Sequence, residues 1–72
     1  MNKILLAGMT LDQLGHQCQD RIARGHRAIV VEMVAAARSR IEKGEPYPGG
    51  FDMWWDMYGP ASPWPVSELL PG

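Results

Sequence analysis

Every aromatic side chain in this sequence lies beyond residue 46: Tyr47, Phe51, Trp54, Trp55, Tyr58 and Trp64. The prolines share that stretch, with Pro48, Pro60, Pro63, Pro65 and Pro71 inside it and Pro46 at its edge. Before it runs a long amphipathic pattern without a single Phe, Tyr or Trp. The chain has 72 residues, a length at which one core is barely sufficient for stability. A division of this kind leaves neither half able to bury enough apolar surface alone. The tail must complete the core of the first half, present its rings to a partner, or do both. Charge divides at nearly the same place. Residues 1–44 hold all seven basic residues and four acids (Asp12, Asp20, Glu32, Glu42), a balance of +3. Residues 45–72 hold Glu45, Asp52, Asp56 and Glu68 with no base, a balance of −4. The two halves should attract, within one chain or between two.

The expected fold is all-α. Residues 1–9 form an N-terminal apolar segment, too short for the core of a signal peptide and leading straight into a helical pattern. Thr10 and Gln13 make a capping box that opens the main element. The pattern runs to Lys43, where Arg40 and Lys43 suit the negative helix end, Gly44 suits a left-handed cap and Pro46 blocks continuation. Residues 10–43 would make a helix near 50 Å long at 1.5 Å per residue. Gly25 is its weak point, but no proline or turn cluster accompanies it. The spacing therefore predicts one long helix, kinked there at most, or two nearly collinear ones. Residues 44–50 read as a linker. Phe51, Trp54, Trp55 and Tyr58, at i, i+3, i+4 and i+7, predict a short helix over 51–58. Residues 59–72 read as a proline-rich, extended tail with room for one last turn over Val66–Leu70.

On the long helix, Leu11, Cys18, Ile22, Ile29, Met33 and Ala36 form one stripe, and Ala23, Val30, Val34, Ala37 and Ile41 a second. The sector also contains His26 and Arg40. It is wider than one contact covers, so a homodimer is expected, with Ile22, His26, Ile29, Val30, Met33 and Ala37 as its core and interface. Arg21, Arg24, Arg27 and Arg38 lie on the opposite side.

Familiar chemistry is missing from this pattern. His16, Cys18 and His26 are the only imidazole and thiol groups, and their spacing points them to different sides of a helix, so no metal site is expected. Cys18 has no base at helical reach, which argues against nucleophilic catalysis. Asp52 and Asp56 read as solvated charge. The expectation is a protein that is not an enzyme and needs no cofactor. A single cysteine points to a reducing, cytoplasmic setting, and no run approaches the roughly 20 apolar residues of a membrane span.

Tryptophan is the sharper signal, because Trp, Tyr and Met are enriched where proteins bind one another. Phe51 and Trp54 read as core. Trp55, Tyr58 and Trp64, flanked by Met53 and Met57, read as hydrophobic anchors for a partner, and the four arginines as steering groups toward an acidic one. The same arginines support a second reading, nucleic-acid binding, although no helix-turn-helix is apparent. The pieces Ala35-Ala36-Ala37-Arg38, Gly50-Phe51-x-x-Trp54 and Gly59 resemble a pattern in a family of uncharacterised small phage and plasmid proteins. That resemblance spans about a third of the chain. It implies a mobile-element origin and, by analogy, a protein that binds and blocks a host protein or defence complex.

Overall fold

The computed structural model describes residues 8–70. The expected apolar segment of residues 1–9 lies, apart from Gly8 and Met9, outside the described residues, as do Pro71 and Gly72. Four helices lie wholly within the described part: α1 (Leu11–Ala23), α2 (Arg27–Glu42), α3 (Gly50–Tyr58) and the single turn α4 (Val66–Leu69). No described residue is in a β-strand, and no described helix is long and apolar enough to cross a membrane.

The long helix does not form. The capping box does: the Gln13 N–H donates to Thr10 Oγ1 at 3.0 Å, and the Thr10 N–H to Gln13 Oε1 at 2.9 Å. Thirteen residues later α1 ends. Gly25 takes φ +74°, its N–H donates to the Ile22 carbonyl at 3.0 Å, and the His26 N–H donates to the Arg21 carbonyl at 3.0 Å. This pair of bonds is a Schellman cap, which satisfies the last carbonyls and turns the chain. The same device closes α2. Gly44, at φ +110°, bonds to the Ile41 carbonyl and Glu45 to that of Arg40. Gly25 is therefore a corner and not a kink. A rod of about 50 Å is replaced by a body whose axes measure 29 × 25 × 24 Å.

Folding the pattern at Gly25 lays its two halves against each other. α1 buries Leu11, Leu14, Gly15, Cys18 and Ile22; α2 buries Val30, Met33, Val34 and Ala37. α3 adds Trp54 and Tyr58, and α4 adds Leu69. Helix α3 packs on both α1 and α2, and α4 packs on α2. Most of the wide apolar sector is thus covered from within one chain, by elements the linear pattern had kept apart, while Ala23 stays exposed and Ile29, Ala36 and Ile41 are half-buried. His26 is a correction: it is exposed at the corner and not in the core, because the turn, not a helical register, sets its direction. Ile22, Val30, Met33 and Ala37 are buried, and Ile29 is half-buried.

Gly15 shows how closely α3 approaches α1. A Cβ there would stand 2.2 Å from Tyr58 Cδ2. Helix propensity alone predicts that Gly15→Ala stabilises by about 1 kcal/mol. The ring leaves no room for the methyl, and overpacking of this kind costs ~1–3 kcal/mol. We expect net destabilisation, read as a lower midpoint in urea unfolding; a higher midpoint would contradict the packing. Gly25 has open space around its missing Cβ, so Gly25→Ala should cost only the left-handed strain of about 1–2 kcal/mol. Gly25→Asn should cost less in the same measurement, because Asn tolerates that region.

Candidate functional site

The site is built where the linker, α3 and the start of α1 converge. Tyr47, Pro48, Gly49 and Gly50 form a tight turn. The Gly50 N–H donates to the Tyr47 carbonyl at 2.9 Å, and Gly49 sits at φ +83°, ψ −3°. A left-handed glycine at the third position is what a type II turn requires, and proline is common at the second. The turn also brings the backbone close to α3, since a Cβ on Gly49 would lie 2.6 Å from Met53 Cβ. Helix α3 starts directly from it.

Along α3, positions repeat by three and four. Trp54 and Tyr58 face inward, fully buried and 4% exposed respectively. The Trp54 indole N–H donates to the Leu11 carbonyl at 2.8 Å, and the Tyr58 hydroxyl to Asp12 Oδ1 at 2.7 Å. The Tyr47 hydroxyl stands 3.3 Å from the same oxygen and 3.4 Å from Met57 Sδ. Asp12 lies in the first turn of α1, where a carboxylate also complements the positive helix end. Burial, together with hydrogen-bond donation to Asp12, pushes the Tyr58 hydroxyl well above its ordinary pKa.

Met53 and Met57 face outward. They are 45% and 52% exposed, the exposed large apolar side chains of the described chain. With Asp12, Tyr47, Pro48 and Gly49 they line an open pocket of about 510 Å³. The lining is mainly apolar, with one carboxylate at its edge.

The structure sorts the anchors expected from sequence. Met53 and Met57 are accessible. Tyr58 is not: its ring lies in the core, edge-on to His16 with centroids 5.3 Å apart and tilted against Trp54 at 5.6 Å. Trp55 and Trp64 are half-buried against the core cluster. The Trp55 ring folds over Gly59, where a Cβ would come within 2.3 Å of it. Trp64 is fixed by Ser62, whose Oγ accepts from its N–H at 3.0 Å and donates to its carbonyl at 2.7 Å.

The arginines do not share one helix. Arg21 and Arg24 end α1, Arg27 begins α2, and Arg38 lies eleven residues, about 16 Å of helix, further on. Arg24 pairs with Asp20 at 3.3 Å and Arg38 with Glu42 at 3.2 Å. Arg21 Nη1 lies 3.1 Å from His26 Nδ1, and Arg27 donates to the Glu68 carbonyl at 3.3 Å. Arg40, inside the apolar sector of the sequence pattern, makes a two-pronged bond to Glu45, both distances 2.7 Å.

His16 and His26 are exposed while Cys18 is buried, and no group of three His, Cys, Asp or Glu side chains stands together among the described residues. Sequence reasoning passed over Asp12, Tyr47, Pro48 and Gly49 as site residues. The Pro-Gly-Gly turn signature was available; the meeting of two tyrosines on Asp12 was not, since 35 and 46 residues separate the partners. No known protein family, curated protein or solved structure matches this chain.

Burial pushes the Cys18 thiol up to about 11 from 9.0. The folded chain therefore retains a proton that the unfolded chain releases. Stability should be unaffected by this group below about pH 9 and fall as pH rises from there toward 11. Burial raises Tyr58 as well, so the fall should continue at higher pH. Urea unfolding at a series of alkaline pH values checks this, and Cys18→Ala should flatten the first part of the curve.

Proposed function

We propose that this chain is a protein-binding protein without catalytic activity, which works by covering part of a partner. One observation carries the reading. Among the described residues, the large apolar side chains are buried or half-buried except Met53 and Met57, which line an open apolar pocket together. Methionine suits such a surface because its unbranched, polarisable side chain adapts to different contacts. The pocket falls within the ~300–1,000 Å³ range of ligand sites, enough for one or two large side chains of a partner. The resemblance to small phage and plasmid proteins makes the partner a host protein or defence complex, and the chain its inhibitor. A homodimer belongs to the same proposal, although the core already has its cover within one chain.

The nucleic-acid reading gains one observation. Two helices are joined by a three-residue glycine corner with Arg21, Arg24 and Arg27 around it, a connectivity that helix-turn-helix units also use. Against it, the overall charge is −1 and the arginines engage acids, carbonyls or a histidine of the chain itself.

The test is capture from a nuclease-treated bacterial lysate by the tagged chain and by a Met53→Glu/Met57→Glu variant. Both side chains are half in solvent, so the variant should unfold at nearly the same urea concentration. Burial of each methionine contributes about 1.5–3 kcal/mol, so the variant should lose its protein partner ten-fold or more. Equal capture by both chains removes the methionines from the interface. Binding that appears only without nuclease, falls steeply with salt and is lost in Arg24→Glu establishes the nucleic-acid reading instead.

A further inference from the structure

The proposed docking site has a charge pattern as well as an apolar one. Asp52 and Asp56 each precede a methionine by one position, so they lie about 100° around α3 from Met53 and Met57. Both pairs repeat at i, i+4, and all four side chains are exposed. The outer side of α3 therefore carries two parallel rows, one of thioethers and one of carboxylates. Neither aspartate makes an ion pair with a described residue. A third acid borders the pocket: Asp12 receives both tyrosine hydroxyls on Oδ1, which leaves Oδ2 open to an outside donor. No lysine or arginine follows residue 43, so nothing on α3 or its flanking segments offsets these charges. The basic residues of the chain belong to α1, α2 and the segment before them.

A surface of adaptable apolar groups edged by uncompensated carboxylates is complementary to a segment that combines an apolar stripe with Lys or Arg beside it. Resting on the docking reading above, we infer that the occupant of the Met53–Met57 groove is a cationic amphipathic helix. Its aliphatic or aromatic anchors enter between Tyr47, Pro48 and the two methionines, as a helix lies in an apolar groove. Its ammonium or guanidinium groups reach Asp52, Asp56 and Asp12. The charges set orientation and association rate, and the methionines contribute most of the affinity. A neutral or acidic helix of the same apolar pattern is excluded by like charge and by the loss of water around the carboxylates.

The probe is a fluorescent Leu/Lys helix of about five turns, ~18 residues, compared with the same peptide carrying Glu in place of Lys. Binding is followed by anisotropy, and the methionine methyl signals by NMR on the full chain. The Leu/Lys helix should bind with affinity that weakens as salt rises and should shift the methyls of Met53 and Met57, while the Leu/Glu helix should not bind. The Asp52→Lys/Asp56→Lys variant, altered only at solvent-facing positions, should remain folded with a slightly lower unfolding midpoint, since Asp52 lies in the first turn of α3 where a cation is unfavourable, and should bind the Leu/Lys helix at least ten-fold more weakly, ~1.4 kcal/mol. The inference is overturned if the Leu/Lys helix does not bind, binds without moving those methyls, or binds the charge-reversed variant equally well. Methionine-dependent capture in the lysate experiment, together with any of these results, would leave the docking site standing and remove only the cationic partner. Loss of both would remove the site itself.

Discussion

The indole of Trp54 ties the two unlike halves of the chain together. It is the largest fully buried side chain, and its N–H reaches the Leu11 carbonyl at 2.8 Å across 43 residues of sequence. A buried Trp removes about 150–250 Å² from water, ~4–6 kcal/mol at 25 cal/mol per Å². In so small a protein that is a large share of net stability. The hydrogen bond makes the contact directional. An indole N–H sealed in a core without an acceptor would cost about 1–3 kcal/mol, so Trp54 has one good seat, over the first turn of α1. Once it is seated, Tyr58 one turn later falls onto Gly15 and Asp12, and Met53 and Met57 are held on the outside of the same helix. The exposure of the methionines is a consequence of where Trp54 goes.

Glycine controls the remaining geometry, by two separate physical routes. At Gly25 and Gly44 the backbone enters the left-handed region, and the chain turns there because glycine, with no Cβ, adopts that conformation without strain. At Gly15 the backbone is ordinary helix, and the missing Cβ is what admits the Tyr58 ring. The first route creates the packing of α1 on α2. The second sets how close α3 comes, and so brings the tyrosine hydroxyls to Asp12. Without the close approach, the pocket would lose the Asp12 side of its wall.

The site joins these effects to electrostatics. Intrahelical pairs engage Arg24 and Arg38, and Arg40 is taken by Glu45. Exposed pairs of the first kind are weak, about 0.2–1 kcal/mol each, and they offset only two of the arginines locally. Asp52 and Asp56 stay unpaired among the described residues beside the methionines, so the face that is also apolar carries negative charge. The linear spacing of the arginines suggests steering toward an acidic partner, whereas the docking face inferred on α3 would attract a basic one.

What the sequence by itself determined is local. The Thr10 capping box, the stop at Gly44, the helix around Trp54 and the all-helical class are written in spacings of three and four residues and in turn residues that act on their own neighbours. Even the stripe residues Ile22, Val30, Met33 and Ala37 were legible as core, although Leu14, at the correct interval between Leu11 and Cys18, was overlooked. The direction of the chain after Gly25 was not legible, because a lone glycine permits a bend, a continuation or a corner with small differences in local energy. That choice belongs to the tertiary structure: only a corner lets both halves of the pattern, Trp54 and Leu69 bury their apolar surface together. The same collapse decided which side chains were left over. Tyr58, assigned to a partner by its residue type, went into the core with Trp54 as its i, i+4 spacing allows, and His26, assigned to the core by periodicity, was carried out of it by the corner at Gly25.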